Sequence, residues 1–180
     1  MNEIMENFNG KAALVTGAGG GIGRAIALAF AGSGASVMVT DIQMQHAEET
    51  VRLIREQKGN AHCLFIDVTR EEDVQKMVAA TVERYGRLDF ACNNAGIEGM
   101  VAPIAELPGD PWDQVLAVNL TGVFYCLKHE LVQMQKQGFG AIVNIASMAD
   151  MIGAPCRAAS VASKHGIIPE VRSSDLTLNS

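Results

Sequence analysis

Basic residues are scarce and scattered in this chain. Fourteen Lys and Arg against 20 Asp and Glu leave a formal net charge of −6, and no cluster supplies the electrostatic footprint that a nucleic-acid backbone requires. Nucleic acid is excluded as an expected partner. Cysteine patterns are missing too: Cys63, Cys92, Cys126 and Cys156 stand far apart, with no CxxC pair and no histidine at ligand spacing. Neither a zinc site nor a disulfide framework is indicated, and the thiols are expected to be reduced and mostly buried. No apolar run approaches the length of a bilayer span, and the opening MNEIMENFNG has neither a basic nor an apolar leader segment. The expectations are the cytoplasm and no membrane partner. His46, His62, His129 and His165 follow no partner pattern and are read as surface or packing residues.

Internal repeats, linkers and low-complexity tracts are also lacking, so 180 residues with 48% hydrophobic and 19% charged content suit a single domain. What is present is an alternation of short apolar strands with longer helical segments. Strands are expected at 12–16, 35–40, 61–66, 88–92 and 141–146, with helices at about 21–31, 43–57, 70–85 and 110–137. That order predicts an α/β fold, a doubly wound parallel sheet of about five strands between two helical layers. Thr69 and Glu72 are placed to form a capping box. Asp110 and Pro111 suit the N-cap and first position of the long helix. A last helix starting near Arg157 meets Pro169, which removes a backbone donor, so it is expected to end near Ile168. Residues 1–8 and 169–180 read as irregular tails.

TGAGGGIG at 16–23 follows the first strand and opens the first helix, the context that turns a glycine-rich string into a dinucleotide fingerprint. Side chains at Gly17, Gly21 or Gly23 would block the tight turn or the approach of backbone to pyrophosphate. Free N–H groups at the helix N-terminus attract its phosphates. Asp41 ends the second strand 18 residues after Gly23, where a carboxylate accepts ribose hydroxyls and repels a 2'-phosphate. Asn119 lies within a long apolar helix, where a buried amide is costly unless hydrogen-bonded.

These motifs, with Asp67, NNAG at 93–96, Ser147 and Lys164 in the same order, resemble a classical short-chain dehydrogenase/reductase over roughly residues 8–168. The resemblance implies a Rossmann fold and a nicotinamide cofactor on Gly17, Gly21, Ile22, Gly23, Asp41, Asp67, Val68, Asn94, Ala95, Gly96 and Lys164. Gly20 and Ile42 stand where NADP-preferring relatives often carry a basic residue, which favours NAD. Arg24 keeps NADP as the lesser option. The implied chemistry moves hydride between nicotinamide and an alcohol or ketone, with Asn119, Ser147 and Lys164 as site residues and a tyrosine as proton donor. Here that position holds Ser160, 13 residues after Ser147 and four before Lys164.

A serine hydroxyl is too short to replace a phenol, and its pKa is too high for a lysine to bring near neutrality. The chain also ends where the family's next strand and substrate-covering lobe are expected, which leaves the fifth strand as an edge. The expectation is a truncated, catalytically impaired oxidoreductase domain. The alternatives are a non-catalytic NAD-binding or interaction protein and a misread gene product. The resemblance further implies a homodimer through the long helix, with Val115, Val118, Val123, Leu127 and Leu131 on that face or, equally, in the domain's own core.

Overall fold

A computed structural model describes residues 7–146 and 154–175, with side chains as far as Ile167. Five parallel strands form one sheet: β1 (Ala12–Thr16), β2 (Ser36–Asp41), β3 (Asn60–Phe65), β4 (Phe90–Asn93) and β5 (Ala141–Asn144). Their spatial order is β3-β2-β1-β4-β5. Leu14 pairs with Met38 on one side and with Ala91 on the other, so β1 is the central strand. All five residues of β1 are buried, as expected for a strand covered on both faces.

Helices α1 (Gly21–Gly32) and α2 (Met44–Glu56) cover one face, where Val15, Val37, Val39, Ala27 and Ile54 form a core. On the other face α3 (Glu71–Tyr85) and α5 (Gly122–Gln137) enclose Leu14, Met38, Met77, Leu88 and Met134. Helix α4 (Gly109–Leu116) runs into α5 through a π turn, Ala117–Thr121. Helix α6 (Ala158–Asp175) closes the described fold. Its Ile167 packs with Val123 and Leu127 of α5.

Several local expectations give way to competing interactions. Arg70, not Thr69, precedes α3, and no side chain caps that end. Thr69 instead donates its hydroxyl to Asp67 Oδ1 at 2.7 Å, which diverts it from capping. Helix α4 begins at Gly109, one residue early, and Asp110 lies in its first turn, where its charge still complements the helix dipole. Pro169 does not end α6, which continues to Asp175; proline's fixed φ lies in the helical range, so its lost donor and ring clash can kink a helix without ending it.

The stretch Gly109–Gln137 is long and apolar enough to cross a membrane by length and composition, contrary to the sequence reading. Val115, Val123, Cys126, Leu127 and Met134 along it are instead buried against the rest of the chain. Of the five positions open between an interface and the core, Val115, Val123 and Leu127 are therefore core, and Val118 and Leu131 pack beside core clusters. Cys92 and Cys126 are buried, but Cys156 is exposed, a departure from mostly buried thiols. Among the described residues β5 is a sheet edge, and its Val143 is 56% exposed.

Phe8, at the end of the segment expected to be irregular, packs in tilted geometry with its ring centroid 4.7 Å from that of Phe90 and 5.9 Å from that of Phe30. Its N–H donates to Ser33 O at 2.8 Å, which ties the entry to β1 onto the end of α1. Phe8→Ala should destabilise the chain by about 2–3 kcal/mol, less than a fully buried phenylalanine would cost. Urea denaturation checks this: a shift under about 0.5 kcal/mol would mean the ring is a surface passenger.

Candidate active site

The order of strands reverses between β1 and β4, and the crevice beyond their C-terminal ends is where open α/β sheets take ligands. Gly17 leaves β1 with φ +62°, a left-handed conformation that favours glycine. A Cβ there would lie 2.8 Å from Ala95 Cα, and one at Gly23 would collide with the Gly17 carbonyl. These two glycines let α1 and the NNAG segment close on the same turn. Gly21 also has positive φ, and Ile22 is 65% exposed at the helix start.

Thr16 is the residue that the sequence reading overlooked. Its hydroxyl oxygen accepts the N–H groups of Asn94 at 3.0 Å and Ala95 at 3.1 Å, fastening NNAG to the end of β1. The Asn94 side chain returns the tie, donating to Thr16 O and Gly17 O, both at 3.0 Å. Thr16 stands at a strand end and opens the TGAGGGIG motif, but the role of its hydroxyl leaves no periodic signal in the sequence.

Asp41 stands beside the glycine-rich turn. One carboxylate oxygen accepts Gly19 N–H at 2.8 Å and the other accepts Gln43 N–H at 2.8 Å. Arg24 donates to the Gly19 carbonyl and, at 3.0 Å, to Thr50 Oγ1, so its guanidinium is tied beneath the turn. Asp67 accepts Thr69 N–H at 3.0 Å in a tight turn after β3. A crevice of about 420 Å³ joins Gly17, Asp41, Asp67 and Val68 to Ala95, Gly96 and Ile97. Larger, more open hollows of about 610 and 670 Å³ flank β3 and are lined by no residue of the glycine-rich turn. Gly17, Asp41, Asp67, Val68, Ala95 and Gly96, all expected to contact a cofactor, line the smaller crevice, so that is the candidate site.

Asn119 lies in the π turn between α4 and α5. Its Oδ1 accepts Ile97 N–H at 2.8 Å, while Nδ2 donates to Ile97 O at 2.9 Å and to Ser163 Oγ at 3.2 Å. The amide is thereby a brace between the segment after NNAG and α6. Ser163, fully buried, donates in turn to Ser160 O at 2.8 Å. Lys164 Nζ donates to Ile145 O at 2.6 Å, which brings α6 to the end of β5. Ser160 is half-buried one turn before Lys164. Ser147 lies outside the described residues. The two tyrosines serve elsewhere: Tyr85 donates to Val37 O at 3.1 Å, and Tyr125 packs by Phe124.

Glu130 is a second residue the sequence did not reveal. It is fully buried on α5, and its Oε2 accepts Asn93 Nδ2 at 2.9 Å. The same Asn93 amide donates to Asn144 Oδ1 at 2.9 Å. Burial pushes the Glu130 carboxyl up to about 7, against the opposing hydrogen bond from Asn93. No group of three or more metal-ligating side chains occurs among the described residues.

The short chain dehydrogenase family model matches residues 11–179. The short chain dehydrogenase/reductase astE of Aspergillus oryzae is 45% identical over 168 residues, 92% of this chain and 64% of that relative. Cyclohexanol dehydrogenase of an Acinetobacter species is 42% identical over 168 residues, 93% of this chain and 67% of the relative. The crystal structure of NAD+-bound xylitol dehydrogenase superposes with a TM-score of 0.93 at 42% identity, over 96% of this chain and 66% of that one. The chain thus spans roughly two thirds of the length of these relatives. With a sequence match along nearly its whole length and the same strand and helix framework, it belongs to the short-chain dehydrogenase/reductase family.

Proposed function

We propose that this chain binds NAD(H) in the crevice between β1 and β4, as a short-chain dehydrogenase/reductase domain whose lineage oxidises alcohols or reduces ketones. The observation that carries this reading is the cradle itself: Gly17 and Gly23 occupy positions where a Cβ would strike neighbouring backbone, at the N-terminus of α1. When bound, the nicotinamide supplies the hydride acceptor or donor. Asp41 receives the ribose hydroxyls and repels a 2'-phosphate, while Asp67 and Val68 flank the adenine. Arg24, already bonded to Gly19 and Thr50, is poorly placed to neutralise an added phosphate, which supports NAD over NADP. Asn94, Ala95 and Gly96 present backbone to the cofactor, and Lys164 holds the nicotinamide ribose. Asn119 orders the segment after NNAG.

Proton transfer is the weak step. Ser160 occupies the turn before Lys164, and a hydroxymethyl group cannot put an acidic oxygen where a phenol would reach. The domain therefore retains its cofactor site and turns over secondary alcohols and ketones poorly. A homodimer remains part of the reading, with the exposed Phe124 and Val132 of α5 as its apolar contacts.

Calorimetric titration should show saturable NADH binding, tighter than NADPH by about tenfold or more. No heat at millimolar NADH would defeat the cofactor assignment, and Asp41→Ala should narrow the difference between the two nucleotides. Steady-state rates over a panel of secondary alcohols and ketones should lie about 10²- to 10⁴-fold below those of intact relatives. Ser160→Tyr should raise them; equal rates for the two proteins would show that position 160 is not the missing proton donor.

A further inference from the structure

Glu130 is a charged residue type with no exposed surface, on a helix that lies behind the strand ends rather than in the crevice. It touches none of the atoms assigned to cofactor or substrate. Its neighbours are nevertheless β4, which runs directly into the NNAG segment of the site, and the adjoining β5. Asn93 Nδ2 bridges Glu130 Oε2 on α5 and Asn144 Oδ1 on β5, each at 2.9 Å. The cluster is underfilled as well as buried: Asn93 Oδ1, Glu130 Oε1 and Asn144 Nδ2 have no hydrogen-bond partner. A buried carboxylate held by a single amide is costly, and a buried polar atom without a partner calls for an explanation.

From Asn93 the connection to the site is covalent and short. Asn94, Ala95 and Gly96 follow directly, and Thr16 holds the first two. From Asn144 it is equally short, because Ile145 donates its N–H to Asn93 O at 2.9 Å and its carbonyl accepts Lys164 Nζ at 2.6 Å. We propose that Glu130 is a positioning residue: by fixing Asn93 and Asn144 from behind, it sets the strand ends that present Asn94–Gly96 to the cofactor and anchor Lys164. This inference rests on the NAD-binding reading for its functional meaning, although the positioning can be measured without cofactor.

The protonated carboxyl is the form that suits the site. Desolvation lifts it to about 7 from an ordinary 4.5. The titratable neighbours are Cys92 on β4 and Cys126 on α5, both driven up by burial and then by the Glu130 charge. β5 contributes the neutral Asn144. On α3, Glu71 bonds Lys128 and His129 at the surface, and from α6 Lys164 is bonded to Ile145 O. Between pH 4.5 and 7 the folded chain keeps a proton that the unfolded chain has released. Stability contributed by this group is therefore greatest below 4.5, declines through the window at about tenfold in the unfolding constant per pH unit, and levels above 7.

Three proteins test the proposal: the natural chain, Glu130→Gln and Glu130→Leu. Apo-protein amide NMR between pH 5.5 and 8.5 should show Asn94, Ala95, Gly96 and Ile145 moving along one titration in the natural chain and static in Glu130→Gln. NADH affinity should fall about tenfold over that range in the natural chain, equivalent to one net hydrogen bond to a charged group. Glu130→Gln, which keeps a donor and an acceptor, should hold the higher affinity throughout, and Glu130→Leu should bind weakly at every pH. Identical titrations in the natural chain and Glu130→Gln would overturn the proposal, as would Glu130→Leu binding as tightly as Glu130→Gln. If no protein binds NADH, the cofactor reading fails while the amide titration still decides the role of Glu130.

Discussion

The site depends on how closely two strand ends can approach without touching. At the junction of β1 and β4 the chain must leave β1, turn into α1 and pass beneath NNAG, all within a few ångströms. Gly17 and Gly23 remove the side chains that would fill that gap, and Thr16 with Asn94 spans it with hydrogen bonds between 3.0 and 3.1 Å. The first pair creates room and the second prevents collapse. Neither would suffice alone, because an open gap without cross-ties would leave buried backbone donors unpaired, at a cost comparable to a lost hydrogen bond.

The same economy recurs one layer back. Asn119 and Glu130 both sit on the long helical segment behind the sheet, and both are almost inaccessible to solvent. They differ in what they brace. Asn119 spends its amide on Ile97 and Ser163, linking the loop beyond NNAG to α6. Glu130 grips Asn93 and, through it, Asn144. A helix that looks like simple apolar packing thus carries two polar braces, both on the β4 side of the crevice, one before NNAG and one after it. Asn119 itself lies in the π turn that joins α4 to α5, and Glu130 lies beyond it on α5.

The sheet was legible because its signal is local and repeated: apolar pentamers separated by helical periods can be read without knowing their partners. The glycine-rich turn was legible for a related reason, since its steric demands are written in one continuous octapeptide. The departures have the opposite character. Thr69 is attractive as a cap until Asp67 competes for its hydroxyl. Glu130 sits between Lys128, His129 and Leu131, and nothing in that run distinguishes it from an ordinary surface glutamate. Its burial is decided by Asn93 and Asn144, residues 37 and 14 positions away in the chain. Such roles are set by tertiary contacts and leave no periodicity to read.

The position before Lys164 has to be judged against this framework. Replacing a phenol by a hydroxymethyl group removes an acid without removing its surroundings. Lys164 remains bonded to Ile145, and Ser163 remains bonded to Asn119 and to the carbonyl of Ser160 itself. Those ties run through backbone and through side chains other than that of residue 160, so they do not depend on what stands there. The scaffold for nucleotide binding and the source of the proton are therefore separable in this fold. In the proposed reading Ser160 removes only the second, so nucleotide binding and turnover test that reading separately.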